Sequence, residues 1–299
     1  MSTLESDKFG LRYRLTVEIE NNQAIVIEYP TTVEFQVNRA MNGGLGYASF
    51  SVYNLSPDNR NKLTLDRYGL LDNKKIRKVI FEAGYDSNNS VAIHFIGNIF
   101  QAYSIRNGEN IITKIESKDG LFASQQSFIS KTLSEGTSVS LSIGLLATTM
   151  LGIDNGKLSD FVMLSSISPN ERLVDNESYI GNSWQLLKEK YNDEIFIDLN
   201  VLKYLKVDDA FTVNNQVLVI NARTGLLETP TRMDTFLTVN TLFESRVMLG
   251  QAIQVDSLYS KQYNGQYKVV GINSNGTISG NVESKATTIF QLLVNNSVV

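Results

Sequence analysis

A period of two dominates this chain and limits what it can fold into. Between Arg223 and about Glu283, apolar and polar residues alternate in short runs separated by turn residues. In Gln251–Ser257, Ile253 and Val255 fall on one side and Gln254 and Asp256 on the other. Phe236, Leu237 and Val239 mark a second alternating run within Thr235–Asn240. Successive side chains of a strand point to opposite faces, so each run buries one face and wets the other. Gly250 stands where the chain turns into a strand, a place suited to a residue that tolerates positive φ. The closing ribbon sets Tyr267, Val269 and Gly271 against Lys268, Val270 and Ile272. Asn275-Gly276 then predicts a two-residue hairpin turn, because both central positions of a type I′ turn need positive φ. The stretch reads as a small antiparallel sheet or barrel.

The same grammar fills residues 10–118. Arg12–Glu20 places Leu15, Val17 and Ile19 on one face, Asn21-Asn22 makes a turn, and Gln23–Tyr29 carries Ile25, Ile27 and Tyr29 opposite Ala24, Val26 and Glu28. Thr32–Arg39 repeats the pattern with Val33, Phe35 and Val37; Met41–Gly46 is a glycine-rich loop and Tyr47–Tyr53 another strand. Ser56-Pro57 predicts a helix start running to about Leu65: Ser56 can cap, and Pro57 at the first helical position loses nothing by lacking an N–H. Strands follow at Lys75–Gly84, at Val91–Ile105 with a bulge or bend expected at Gly97, and at Asn110–Ser117. Regularly spaced strands with one brief helix predict an antiparallel barrel or sandwich.

The composition changes at Asp119. Leu121–Lys131 is polar, Thr137 is placed to cap a helix over Ser138–Leu151 ended by Gly152, and Asn155–Ile180 reads as loop. Ser183 is placed to cap a helix whose Trp184, Leu187 and Tyr191 recur at helical spacing. Glu194–Leu199 and Val201–Val207 form a hairpin across Asn200, and Phe211–Asn221 adds one or two strands. The predicted fold class is mainly β with a small α+β module. Residues 1–118 and 215–299 are expected as two β-rich regions, the first an antiparallel barrel or sandwich and the second a small barrel or sheet, with 119–214 as the module between them.

No constellation in the chain gathers an acid, a base and an electrophile. Cysteine is absent, which removes disulfides, thiolate nucleophiles and Cys-based metal sites. His94 is the single histidine and stands between Ile93 and Phe95, so a packed strand histidine is expected over a catalytic one, and a His-based zinc site is excluded by inventory. The acidic pairs Asp193-Glu194 and Asp208-Asp209 fall at hairpin ends and point to solvent as turns do. Asp154–Asp160 lacks the central Gly and closing Glu of a calcium loop. The Asn42–Gly46 loop has no following Gly-Lys-Ser/Thr for a phosphate cradle. Lys74-Lys75-Ile76-Arg77-Lys78 would split between two strand faces and suits a charged edge. Catalytic, cofactor-binding and metal-ligating residues are therefore all expected to be none. The net charge of −4 over 299 residues argues against a basic nucleic-acid clamp. No run approaches the roughly 20 apolar residues of a membrane span, and the N-terminus has no signal-peptide core.

The order of the parts resembles the baseplate hub proteins of contractile-tailed bacteriophages. FSVYNLSPDNRNKL at 50–63, IRKVIFEAGY at 76–85 and HFIGNIFQAYSIRNGENIITKIESKDG at 94–120 are similar to consecutive segments of these hubs. So are EGTSVSLSIGLLA at 135–147, GNSWQLLKEKY at 181–191, TGLLETPTRMDTFLTVNTLFESRVMLGQAIQVDS at 224–257 and NGQYKV at 264–269. The resemblance implies a homotrimeric structural protein of the virion, assembled in the host cytoplasm. Its two tube-like barrels per subunit would form a pseudo-sixfold ring. That ring would join the tail tube protein to the central spike protein, contact other baseplate proteins and let DNA pass without specific binding. A hexameric tail-tube or distal-tail ring protein is the neighbouring alternative. A cell-wall glycan-binding or glycan-degrading domain is the alternative of another class, for which Tyr259, Tyr263 and Tyr267 could share an exposed face.

Overall fold

The computed structural model describes residues 8–19, 23–41, 44–64, 77–87, 89–151, 158–168, 170–294 and 297–298. The first region holds β1 (Leu11–Glu18), β2 (Ala24–Glu28), β3 (Val33–Ala40), β4 (Tyr47–Tyr53), α1 (Pro57–Leu63), β5 (Arg77–Tyr85), β6 (Ala92–Asn107) and β7 (Asn110–Lys118). The middle region holds α2 (Leu121–Gln126), β8 (Phe128–Leu133), α3 (Val139–Leu151), β9 (Asp160–Met163), β10 (Glu177–Asn182), α4 (Ser183–Tyr191), β11 (Ile195–Asp198) and β12 (Val201–Tyr204). The last region holds β13 (Asp209–Ala210), β14 (Leu218–Asn221), β15 (Thr231–Met233), β16 (Phe236–Leu242), β17 (Ala252–Asp256), β18 (Gly265–Ile278), β19 (Lys285–Val294) and β20 (Ser297–Val298).

The fold is mainly β, as the alternation predicts, and one large, mostly antiparallel sheet organises it. Its strand order is β15-β16-β19-β18-β3-β4-β7-β6-β5-β1-β2, with β17 and β14 joined at β18. The strand β18 is the branch point. Its first residues pair with β17, Gly271–Ile278 pair with β3, and β19 runs along its other side. The last and first regions are thus hydrogen-bonded into one sheet.

This pairing corrects the hairpin turn predicted at Asn275-Gly276. There Asn275 lies opposite Gln36 on one side and Thr287 on the other, and Gly276 lies opposite Phe35 and Ala286. Two flanking partners hold the backbone extended, so ladder bonds on both sides overrule the local turn preference. Gly276 serves close approach instead: a Cβ there would meet the Lys285 carbonyl at 2.4 Å and the Ala286 Cβ at 2.5 Å. The chain turns after Ser279, whose Oγ accepts the N–H groups of Asn281 and Val282.

The bends of β6 also fall beside the predicted place. Gly97 pairs regularly with Val79, while His94 and Phe100 are the extra residues of two bulges. A Cβ on Gly97 would strike the Phe95 ring at 2.6 Å, so the glycine admits a ring. By contrast Gly250 turns the chain into β17 at φ +85°, as its position suggested.

Three apolar cores lie along the molecule. The first gathers inward residues of β1 to β7, with the Phe35 and Phe50 rings each 5.0 Å from the Phe81 ring. The second is built largely from the last region and the third wholly from the middle one. Helix α1 starts as expected, with Ser56 Oγ accepting the Asn59 N–H. The other two predicted caps shift by one residue. Ser138 Oγ accepts the Leu141 N–H of α3 while Thr137 Oγ1 donates to the Ser134 carbonyl. Asn182 caps α4, and Ser183 lies inside the helix with its Oγ 2.5 Å from Thr149 Oγ1. Leu121–Lys131 hides a buried helix, α2, and the stretch expected as loop from Asn155 contains β9 and β10. Those strands are short, and their partners β12 and β8 lie far along the chain. The expected turn at Asn21-Asn22 and the stop at Gly152 lie outside the described residues.

Candidate functional site

The three cores meet at a buried cluster of charge. Strand β3 places Val33, Phe35 and Val37 inward, and Arg39 falls on the same face two residues on, only 1% exposed. Its guanidinium reaches Asp198 Oδ1 through Nε at 2.8 Å and Nη2 at 2.7 Å. Nη1 donates to the His94 carbonyl at 3.2 Å and the Val247 carbonyl at 3.3 Å. Lys203 Nζ donates to Asp198 Oδ2 at 2.9 Å. One side chain therefore binds β11, the bulge of β6 and the loop before β17.

The Asp198 and Lys203 side chains come from the β11–β12 hairpin, whose tight turn takes positive φ at Leu199 and Asn200. Both hairpin faces are buried. Ile195, Ile197, Leu202 and Tyr204 enter the middle core, whereas Phe196 and Leu205 enter the core of the last region. Asp119 holds the turn from outside the hairpin, accepting the Asn200 N–H at 2.8 Å while its own N–H donates to the Gly46 carbonyl.

Burial sets the titration of the cluster. It pushes the Asp119 carboxyl up to about 8, helped by the nearby Asp198 charge and opposed by the backbone N–H groups of Asn200 and Leu199. It pushes Asp198 up as well, but Arg39 and Lys203 outweigh it and hold that carboxyl below the usual range. His94 is fully buried against Phe243 and Phe81, and desolvation with the Arg39 charge lowers it to about 3. A neutral ring in an aromatic core, held on a bulge, is a packing element. A second cluster has Glu244 bracketed by Arg246 at 2.7 Å and Lys8 at 3.4 Å.

The other residues weighed from the sequence do not converge. Asp193 and Glu194 lie in a 3-10 turn, where Glu194 accepts the Tyr204 hydroxyl. Asp209 accepts the Ser165 hydroxyl at 2.6 Å. Asp160 is exposed at the start of β9, and residues 152–157 lie outside the described residues. Asn42, Lys74 and Lys75 also lie outside them, while Arg77 donates to the last carbonyls of α1. The three tyrosines do not share a face: Tyr259 is 90% exposed on a loop, whereas Tyr263 and Tyr267 pack against the core. Among the described residues no group of three or more acidic or His side chains could hold a metal ion. No helix among them is long and apolar enough to cross a membrane. Sequence reasoning missed Arg39, Asp198 and Asp119. The available signal was Arg39 in phase with Val33, Phe35 and Val37, a charge written into an inward position.

The architecture is that of phage tail proteins. A tail protein from Neisseria meningitidis MC58 superposes with a TM-score of 0.58 at 12% identity, covering 96% of this chain and 97% of that one. The 43 kDa tail protein of prophage MuSo2 from Shewanella oneidensis gives 0.57 at 6% identity, covering 94% and 97%. The E. coli c3393 protein, a type VI secretion component described as structurally similar to T4 tail proteins gp27 and gp5, gives 0.53 at 9%, covering 93% and 76%. No curated protein matches by sequence. A family model described as Baseplate hub gp41 matches residues 12–277, and the chain belongs to that family. It has a structural role in the baseplate as a component of the virion tail.

Proposed function

We propose that the chain is the homotrimeric hub of a contractile tail, with residues 1–118 and 215–299 as tube-like β domains and 119–214 as a module set on them. The observation that carries this reading is β18, which pairs with β3 and with β17 and β19 and so ties two β regions into one sheet within a subunit. Three such subunits present six β regions, which suits a ring between a sixfold tail tube and a threefold spike. DNA passes through the ring without specific binding, in keeping with a net charge of −4. Other baseplate proteins bind around it, and assembly takes place in the host cytoplasm. The ring performs no catalysis. The supports for that are the scattered acidic residues and a fully buried His94.

Solution mass tests the reading. A trimer of 33.4 kDa chains is expected. A hexamer would favour the tail-tube or distal-tail alternative, and a monomer at micromolar concentration would end the trimer proposal. A clearing band in a peptidoglycan zymogram would overturn the non-enzymatic reading.

A further inference from the structure

We infer that the Arg39–Asp198–Lys203 cluster, with Asp119 clamping the adjoining turn, is a registration device that sets where the middle module sits on the sheet. The apolar contacts of Phe196 and Leu205 hold the module in place, and the charges choose the position.

Three observations support this division of labour. The middle core draws all its buried residues from 123–204, so the module has an interior of its own. The hairpin face turned away from that interior carries Phe196, Asp198 and Lys203, an alternation of apolar and charged groups in one small contact. Arg39 then satisfies both neighbours at once, because its other nitrogen donates to the backbone of His94 and Val247. An apolar contact tolerates sliding and rotation. A planar guanidinium that must meet one carboxylate oxygen and two carbonyls does not. Desolvating three charges offsets most of what their attraction contributes to stability, so a buried network of this kind adds uniqueness of arrangement more than free energy. Removing the shared carboxylate is different, since it leaves two cations unpaired in the interior.

Amide hydrogen exchange of the full chain, with thermal melting, separates the two roles. Asp198→Leu alone strands the Arg39 and Lys203 cations and is expected to lower the melting temperature markedly. The triple variant Arg39→Met, Asp198→Leu, Lys203→Met is expected to melt within a few degrees of the parent. Its amides at 195–204 and 119–120 should nevertheless exchange at least about ten-fold faster, while β4 and β7 stay protected. Two results would overturn the inference: a triple variant as protected at those amides as the parent, or one that melts as low as Asp198→Leu. If Asp198→Leu is insoluble, Asp198→Asn, which removes the charge and keeps the shape of the side chain, replaces it with the same criteria. The readouts are made on the single chain, so neither depends on the trimer.

Discussion

The first and last β regions are built by one alternation but are closed in different ways. The first closes on itself. Its inward residues come almost wholly from β1 to β7 and include a packed set of rings, Tyr13, Phe35, Phe50, Phe81 and Phe95. Most of its pairings join strands that follow each other in sequence. The last region is mostly aliphatic, with Val239, Ile253, Val255, Val269, Ile272 and Leu292 around Phe290, and it borrows Met41, Phe196 and Leu205 from elsewhere in the chain. Its strands β14 and β17 pair in parallel, which local turns cannot arrange. A region closed by local pairing is specified by its own sequence. A region closed by borrowed residues is specified only in the context of the whole chain.

Truncating the ring cluster should have the largest effect. Phe81 is fully buried and touches Tyr13, Phe35, Phe50 and His94. Phe81→Ala should cost about 3–5 kcal/mol in urea unfolding. Because β18 is shared, the loss should appear as one shifted transition seen by every probe. Two separated transitions would break the comparison, showing that each region unfolds alone.

Gly276→Val attacks the shared strand. The side chain has no space between β18 and β19, so the ladder must part or shift. Overpacking of this kind costs about 1–3 kcal/mol. Faster amide exchange is expected both in β3 and in β19, one from each region. Change confined to β19 would mean that the first region does not lean on β18.

What the sequence made legible follows the same divide. Strands β1 to β7 and α1 were readable because alternation and Ser56-Pro57 act within a few residues. The Asn275-Gly276 turn was misread because its outcome is decided by Gln36 and Thr287, which no local pattern reveals. In the middle region, β9 and β10 are four and six residues long and pair with distant strands, so period alone could not separate them from loop. The charged junction was hidden for a related reason. Arg39 has the wrong chemistry for its phase, and Asp198 ends β11 with no local sign that a guanidinium would meet it.

Titration sharpens the comparison where the regions join. The Asp119 carboxyl, raised to about 8, keeps in the folded state a proton that the unfolded chain loses near its ordinary value of about 3.9. Its contribution to stability therefore falls as pH rises from about 4 through 8. His94, lowered to about 3, acts in the opposite sense: stability rises between about 3 and 6.5. The two slopes oppose each other up to about pH 6.5, and above it only that of Asp119 remains. The unfolding free energy from urea titration should decline between pH 6.5 and 8, by at most about 1.4 kcal/mol per pH unit, and Asp119→Asn should flatten the decline. An unchanged slope in that variant would remove Asp119 from the account.

The smallest effects should come from two helix caps, one local and one borrowed. Ser56 Oγ accepts the Asn59 N–H at 3.3 Å on an exposed helix of seven residues. Asn182 accepts the Gln185 N–H at 3.1 Å, and its Nδ2 also donates to the Ser124 carbonyl at 2.7 Å near the end of α2. Removing a cap costs roughly 0.5–2 kcal/mol. Ser56→Ala loses one exposed bond and belongs at the low end. Asn182→Ala loses a cap and the tie between two helices, and leaves the Ser124 carbonyl with only the Ser127 hydroxyl at 3.5 Å, so it belongs at the high end. Urea unfolding of both variants under one condition measures the gap. Equal costs would mean that the tie between α2 and α4 contributes nothing beyond its cap. The middle module would then be specified as locally as the first β region, contrary to the distant pairing of its strands.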